Sequence, residues 1–363
     1  MVVVAQLVRA SVCGTEGRGF ESHLLPKRQS LFILKRLFLV FRSFLIFTQS
    51  LSMNKNNLEE VYNRIKPHIH LTPLSSSRLL NNLAGCEVFL KCENFQKAGA
   101  YKIRGATNAI LQLSEKERSK GVLTHSSGNF AQAVSLAAKN LGVPAYIVMP
   151  SNAPKIKKEG TLSYGGFVTE CEPTIEAREG ASKRIQEKTG ATFLHPSNDI
   201  QVIYGQGTAC FELLQQEANF DYIICPVGGG GLIAGTCLFA NQFSPKTQII
   251  GAEPFEVDDA YRSLISKKIE MNTTTDTIAD GLRTNLGSNN FPIILHHVTK
   301  IIRVTEKEII AAMKFVWERM KIIIEPSSAV AVAAVLKDKK LFKNKKVAVI
   351  ISGGNVDLEN LPF

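Results

Sequence analysis

From residue 53 onward, short apolar runs alternate with helix-length amphipathic stretches. Runs at 87–91, 122–124, 145–149, 167–170, 221–227, 248–253, 301–304 and 347–351 are rich in Val, Ile, Leu and Phe and end in polar or glycine-containing turns, which predicts strands. Helical segments rather than tight hairpins separate them, so the strands run mostly parallel and the fold class is α/β. That is too many parallel strands for one small sheet, and two open sheets, each layered between helices, are expected. Neither a 20–50-residue repeat nor a low-complexity linker divides the chain, a pattern that one domain inserted within another would leave.

Composition changes this picture mainly at the N-terminus. The formal charge of +11 over 363 residues is uneven. Residues 1–52 carry seven Lys/Arg against two Asp/Glu. Within them, 31–47 is strongly apolar but interrupted by Lys35, Arg36 and Arg42, which argues against a membrane span. Two readings of 1–52 stay open. The segment is basic and acid-poor, as a removable targeting peptide would be. It also resembles a peptide produced when a transfer-RNA gene is translated, in which case the working chain starts at Met53; this reading is preferred, and 1–52 is set aside as an extraneous extension. The basic run 337–346 holds a single aromatic residue, Phe342, and no arginine stripe of the kind a nucleic-acid surface carries, so it is read as a solvated turn and no nucleic-acid partner is expected. Seven scattered cysteines without a CxxC pair read as small apolar residues of a reducing, cytoplasmic compartment.

Open parallel sheets bind ligands at the carboxyl ends of their strands. Three loops fall there: His125-Ser126-Ser127-Gly128-Asn129, the glycines Gly228, Gly229, Gly230 and Gly231, and Ser352-Gly353-Gly354-Asn355. Four successive residues without side chains exceed what a packed core requires. A strand that ends in glycines and opens a helix aims several backbone N–H groups at one point, a cup for a phosphate. Two owners of that phosphate compete. Gly229 to Ala234 fits the dinucleotide pattern GxGxxA, with Glu253 about 20 residues on as the ribose acid, which would make a nicotinamide-dependent oxidoreductase. Pyridoxal 5'-phosphate needs, beyond a cup, a lysine, a donor to its phenolic oxygen and a partner for its ring nitrogen. Lys102, which follows a glycine-containing turn and would enter at a helix start, is a candidate for the lysine, while the dinucleotide reading leaves the serine-rich loop unexplained.

Gln96-Lys97-Ala98-Gly99-Ala100-Tyr101-Lys102-Ile103-Arg104-Gly105-Ala106, Ser126-Ser127-Gly128-Asn129, the four glycines and Ser352-Gly353-Gly354-Asn355 together resemble the fold-type II pyridoxal-phosphate enzymes. The nearest likeness is to the serine racemase and serine/threonine dehydratase family, over about residues 60 to 358. The resemblance implies a tryptophan-synthase-β-like fold, with a small domain at 121–198 inserted in a large cofactor domain at 53–120 and 199–363. It implies that Lys102 is the Schiff-base lysine and moves the substrate α-proton. Gly228 to Gly231 hold the phosphate, Tyr101 lines the ring pocket in place of a phenylalanine, Asn129 meets the phenolic oxygen and Ser352 the ring nitrogen. Ser126, Ser127, Gly128 and Asn129 receive the carboxylate of a small amino acid, with Arg178 nearby, although the serines alone would read as a helix cap and Arg178 as a solvent-facing residue. Glu253, Asp259 and the Val257 carbonyl resemble the family's site for Mg²⁺, or Ca²⁺ or Mn²⁺. Two positions depart from the family: Phe130 stands where histidine is usual, and Ser197 replaces a pocket asparagine. The expected activity is dehydration of L-threonine and L-serine to 2-oxobutanoate or pyruvate and ammonia. The alternative is serine racemisation, in which Ser127 serves the face of the α-carbon opposite Lys102. A homodimer that does not engage membranes is expected.

Overall fold

The computed structural model describes residues 53–153 and 155–363. The readings of residues 1–52, and Cys13 within them, lie outside the described residues. Among the described residues, ten strands form two sheets. The larger contains β1 (Leu74–Ser76), β2 (Glu87–Cys92), β7 (Tyr222–Pro226), β8 (Gln248–Pro254), β9 (Val298–Val304) and β10 (Lys346–Ile351), in the spatial order β1-β2-β10-β7-β8-β9. The smaller contains β3 (Val122–His125), β4 (Ala145–Pro150), β5 (Phe167–Cys171) and β6 (Thr192–Phe193), ordered β5-β4-β3-β6. Every pairing is parallel except that of β1 with β2 at the edge.

Strand periodicity sets the layers. On β7, Tyr222 and Ile224 face one apolar cluster while Ile223 and Cys225 face another; on β10, Val347, Val349 and Ile351 alternate with Ala348 and Ile350 in the same way. Helices Glu306–Phe315 and Pro326–Lys337 cover the first face, and Ile200–Gln216 and Gly231–Phe243 the second. The small sheet repeats the arrangement, with Val122, Ile147 and Met149 on one side and Leu123 and Val148 on the other. All eight strands expected from the sequence are present, extended by a residue or more at several ends. The sequence reading misses β1 and β6, which span three and two residues and are too short to show a period.

The helix Lys102–Leu111 is seated against Ile200–Gln216 at a crossing that excludes side chains: a Cβ on Gly205 would lie 2.5 Å from the Arg104 carbonyl oxygen and 2.7 Å from Gly105 Cα. Beside this contact Arg104, fully buried, forks onto Glu93 (2.7 and 2.8 Å) and Glu212 (2.7 and 3.0 Å), and Lys91 meets Glu212 at 2.8 Å. Two cations and two carboxylates balance in the buried interior, which fixes the first turn of the helix that carries Lys102. Among the described cysteines, five are buried, one is half-buried and none is bridged. No described helix is long and apolar enough to cross a membrane. In the basic run, Lys337, Lys345 and Lys346 pair with Glu308, Asp221 and Glu217.

Candidate active site

The loops after β3, β7 and β10 and the start of the Lys102–Leu111 helix converge. Lys102 is the first residue of its helix, and Nζ donates to the Pro196 carbonyl at 3.0 Å, 5.0 Å from the centre of the Tyr101 ring and 5.7 Å from that of Phe130. Burial lowers its pKa to about 8, against the pull of the Glu325 carboxylate, so a neutral amine is accessible near physiological pH. The turn that delivers it is tied to the loop after β10. The Tyr101 amide donates to the Ser352 carbonyl (3.0 Å), the Gly354 amide to the Gly99 carbonyl (2.9 Å), and Ala100 bridges Gly353. Ser352 Oγ lies 3.0 Å from Ser328 Oγ, which also bonds both the amide and the carbonyl of Gly353.

The four glycines end β7 and open the helix Gly231–Phe243, whose cap, Gly230, sits at φ 81. The premise that packing does not need them is corrected by the structure. A Cβ on Gly228 would lie 2.7 Å from Leu282 Cα, on Gly229 2.3 Å from Ser197 Oγ, on Gly230 2.7 Å from Leu286 Cδ2 and on Gly231 2.5 Å from Gln206 Oε1. The glycines therefore serve close packing of the 195–199 and 281–290 segments as well as exposing backbone N–H groups. Asn290, fully buried, joins these segments: Nδ2 donates to the carbonyls of Gly229 (2.7 Å) and Ser197 (2.9 Å), and Oδ1 accepts from the Gly287 amide (3.1 Å). Ser197, the departure from the family asparagine, is thus packed on the cup itself.

Ser126 and Ser127 do not cap the following helix, Asn129–Asn140; its cap is Gly128 and no side chain bonds its first turn. Ser126 Oγ instead accepts from the Gly128 amide at 3.3 Å. An uncapped helix start beside two half-buried hydroxyls suits a carboxylate. Phe130 is buried in the core of the small sheet. Arg178 lies in the helix Ile175–Thr189, half-buried rather than solvated, with Nε lacking a hydrogen-bond partner. Glu253, the penultimate residue of β8, is fully buried and accepts from the amides of Ala260 (3.1 Å) and Tyr261 (2.8 Å). Asp259, also buried, accepts from Asn272 Nδ2 (2.7 Å) and the Leu286 amide (2.9 Å), and Val257 is buried between them in sequence. Burial, then the neighbouring Asp259, pushes Glu253 well above the usual carboxylate range, and burial lifts Asp259 to about 6. Glu253 is closed off by this loop, which removes the ribose acid that the dinucleotide reading needs.

Several site residues escaped the sequence reading. Glu325, 1 % exposed, caps Pro326–Lys337 and accepts from Asn129 Nδ2. Lys157, 4 % exposed, pairs with Asp280; burial opposes its charge, but Asp280 and Glu325 outweigh that and raise its pKa. His195 accepts on Nδ1 from the amides of Ser197 (3.2 Å) and Asn198 (2.9 Å), which puts its proton on Nε2. Burial, then His125 and Lys102, lowers it to about 4 and keeps it neutral. The pattern Glu-Pro-Ser-Ser at 325–328, with proline in the first turn, is a helix-start signal that could have drawn attention to Glu325. Nothing separates Lys157 from its neighbours in Lys-Ile-Lys-Lys.

This donor set fits pyridoxal phosphate: a buried amine of lowered pKa, a glycine cup at a helix start, a hydroxyl at Ser352, and at Asn129 an amide nitrogen with one proton to spare. The comparisons agree. The family model for pyridoxal-phosphate dependent enzymes matches residues 65–353. The chain is 51% identical to a serine racemase of Dictyostelium discoideum, over 84% of this chain and 95% of the relative. It is 47% identical to a β-hydroxyaspartate dehydratase of Paracoccus denitrificans, over 83% and 96%. The crystal structure of a T.th. threonine deaminase superposes with a TM-score of 0.80 at 40% identity, covering 84% of this chain and 99% of that one. The chain belongs to the fold-type II pyridoxal-phosphate dependent enzymes, in the group that contains serine racemases and threonine deaminases.

Proposed function

We propose that the protein acts on L-serine, dehydrating it to pyruvate and ammonia and racemising it in the same site, and that L-threonine is dehydrated by the same route to 2-oxobutanoate. The observation that carries this reading is the pairing of Lys102, a buried amine able to be neutral, with the uncapped helix start behind Ser126 and Ser127. The serine racemase relative at 51% identity supports the racemase activity, and the β-hydroxyaspartate dehydratase and threonine deaminase support elimination of a β-hydroxyl.

The cofactor, when bound, withdraws electrons from the substrate α-carbon and makes its proton removable. The first-turn amides of Asn129–Asn140 and the two serine hydroxyls hold the carboxylate and so fix which bond faces Lys102. Lys102 takes the α-proton as a neutral amine. Ser127 supplies a proton from the other face for racemisation, a step that elimination does not require. Glu253, Asp259 and the Val257 carbonyl would hold a divalent cation. Two adjacent buried carboxylates, with no ion pair from a described lysine or arginine on Glu253, favour a cation there, and backbone amides already orient both.

Incubation with L-serine, with D-serine and pyruvate both quantified, tests the proposal. Both products should form, and Ser127→Ala should suppress D-serine while leaving most of the pyruvate. Equal loss of both products in Ser127→Ala would remove its one-sided role, and neither product from wild type would overturn the substrate assignment.

A further inference from the structure

A chain of side-chain hydrogen bonds runs from the turn before Lys102 to the helix Pro326–Lys337. Asn355 Nδ2 donates to the Ala98 carbonyl (2.8 Å) and to Asn129 Oδ1 (3.0 Å). Asn129 Nδ2 donates to both oxygens of Glu325, at 2.8 and 3.1 Å. A carbonyl oxygen can only accept, and so can an ionised carboxylate. Both ends of the chain are therefore acceptors, and the orientation of the two amides between them is forced. Turning Asn129 over would set its oxygen against Glu325 and its nitrogen against that of Asn355. Neither end is free to adjust. Ala98 and Gly99 form a left-handed turn, at φ 58 and 69, and Glu325 is wedged against Gly353, where an added Cβ would lie 2.8 Å from Oε1.

The count of protons leaves one over. The two N–H bonds of an amide diverge by about 120°, whereas the two oxygens of one carboxylate subtend far less, so Glu325 shares a single proton of Asn129. The other remains for a ligand. We propose that Glu325 is a positioning residue: by accepting from Asn129 it compels that amide to present N–H, never C=O, to the phenolic oxygen of the cofactor. This rests on the pyridoxal-phosphate reading and assigns the polarity of its Asn129 contact to two residues outside the recognised motif of that contact, Glu325 and Asn355.

The surroundings keep Glu325 in the accepting state. Burial pushes its carboxyl up to about 7, while Lys157 pulls it down, Asp280 pushes it up, and the Asn129 amide and the Asn355 backbone hold the ionised form. At about pH 8 it is ionised. An N–H donor on the phenolic oxygen favours the anionic oxygen and leaves the proton on the lysine-bound nitrogen, the violet-absorbing form of the cofactor; without it the proton returns to the oxygen and absorption moves to the near ultraviolet.

The experiment is the absorption spectrum of the cofactor-loaded protein at about pH 8. Glu325→Gln, which can donate as well as accept, should lower the ratio of violet to near-ultraviolet absorbance about tenfold, the worth of one charge-assisted hydrogen bond. Glu325→Asp should recover much of it. Where Glu325→Gln does not fold, Asn355→Ala, acting from the other end of the chain, must shift the ratio in the same direction. A folded, loaded Glu325→Gln with the wild-type ratio, or an unshifted Asn355→Ala, overturns the proposal. A wild-type protein that takes up no cofactor overturns the reading beneath it, and a coloured wild type with insensitive variants overturns only the role of Glu325.

Discussion

Replacing Asn290 by alanine isolates the support of the proposed phosphate cup from the cup itself. Asn290 is fully buried and makes three hydrogen bonds: to the carbonyls of Gly229 and Ser197 at 2.7 and 2.9 Å, and from the Gly287 amide at 3.1 Å. Each contributes about 1 kcal/mol net, and the variant leaves two buried carbonyls and the half-buried Gly287 amide without partners, so a loss of about 3–5 kcal/mol of folding stability is expected. Urea unfolding of the cofactor-free protein measures it as a shift of midpoint at constant slope. The effect on ligands is more specific. Freed of Asn290, Gly229 no longer holds its N–H on target, so affinity for pyridoxal phosphate should fall about tenfold or more while that for pyridoxal, which has no phosphate, stays nearly constant. A stability loss below about 1 kcal/mol would refute the hydrogen-bond argument. Equal weakening of both ligands would refute the assignment of Asn290 to the phosphate end.

Glu212→Gln leaves Arg104 and Lys91 with one carboxylate between them, and should destabilise the protein by about 3–5 kcal/mol in the same urea assay. In the proposed role Lys102 has to lose its proton to capture the cofactor, so the rate at which cofactor-free protein gains the violet-absorbing band should rise with pH and level off above about 8; a flat profile would contradict the lowered pKa. Asp259, lifted to about 6, retains a proton that its unfolded counterpart loses at about pH 4, so without a cation the stability it confers declines as pH rises through that window. At the proposed cation site, Mg²⁺ would replace that proton. It should raise the unfolding midpoint at about pH 8, lose its effect as pH falls through about 6, and have none on Glu253→Ala; stabilisation that persists in Glu253→Ala would place the cation elsewhere.

What was legible in the sequence is what repeats or clusters along it. Eight strands announced themselves by apolar runs bounded by turns, and the loops at three of their ends carried the glycines, serines and Asn129 in contiguous blocks. Lys102 was legible only through its motif. The structure adds what burial and long-range packing decide. Lys157 and Asp280 are 123 positions apart and meet because the two sheets bring them together. Asn290 is an unremarkable residue in a polar stretch until it is seen spanning Gly229 and Ser197. Glu325 reads as a helix cap and becomes a site residue because Asn129, 196 positions earlier, folds onto it. The glycines were read for a phosphate alone and their packing went unseen, since the residues that crowd them lie far along the chain, downstream at Leu282, Leu286, Asn290 and Ile294 and upstream at Ser197 and Gln206.

The central claim is that Lys102 carries pyridoxal phosphate at the meeting of these loops, and peptide mapping after borohydride reduction tests it directly. The purified protein should be violet-absorbing, reduction should bleach that band and leave a pyridoxyl group on the peptide containing Lys102, and Lys102→Ala should neither colour nor label. A label on another lysine, or a Lys102→Ala protein that still acquires the band, would contradict the account.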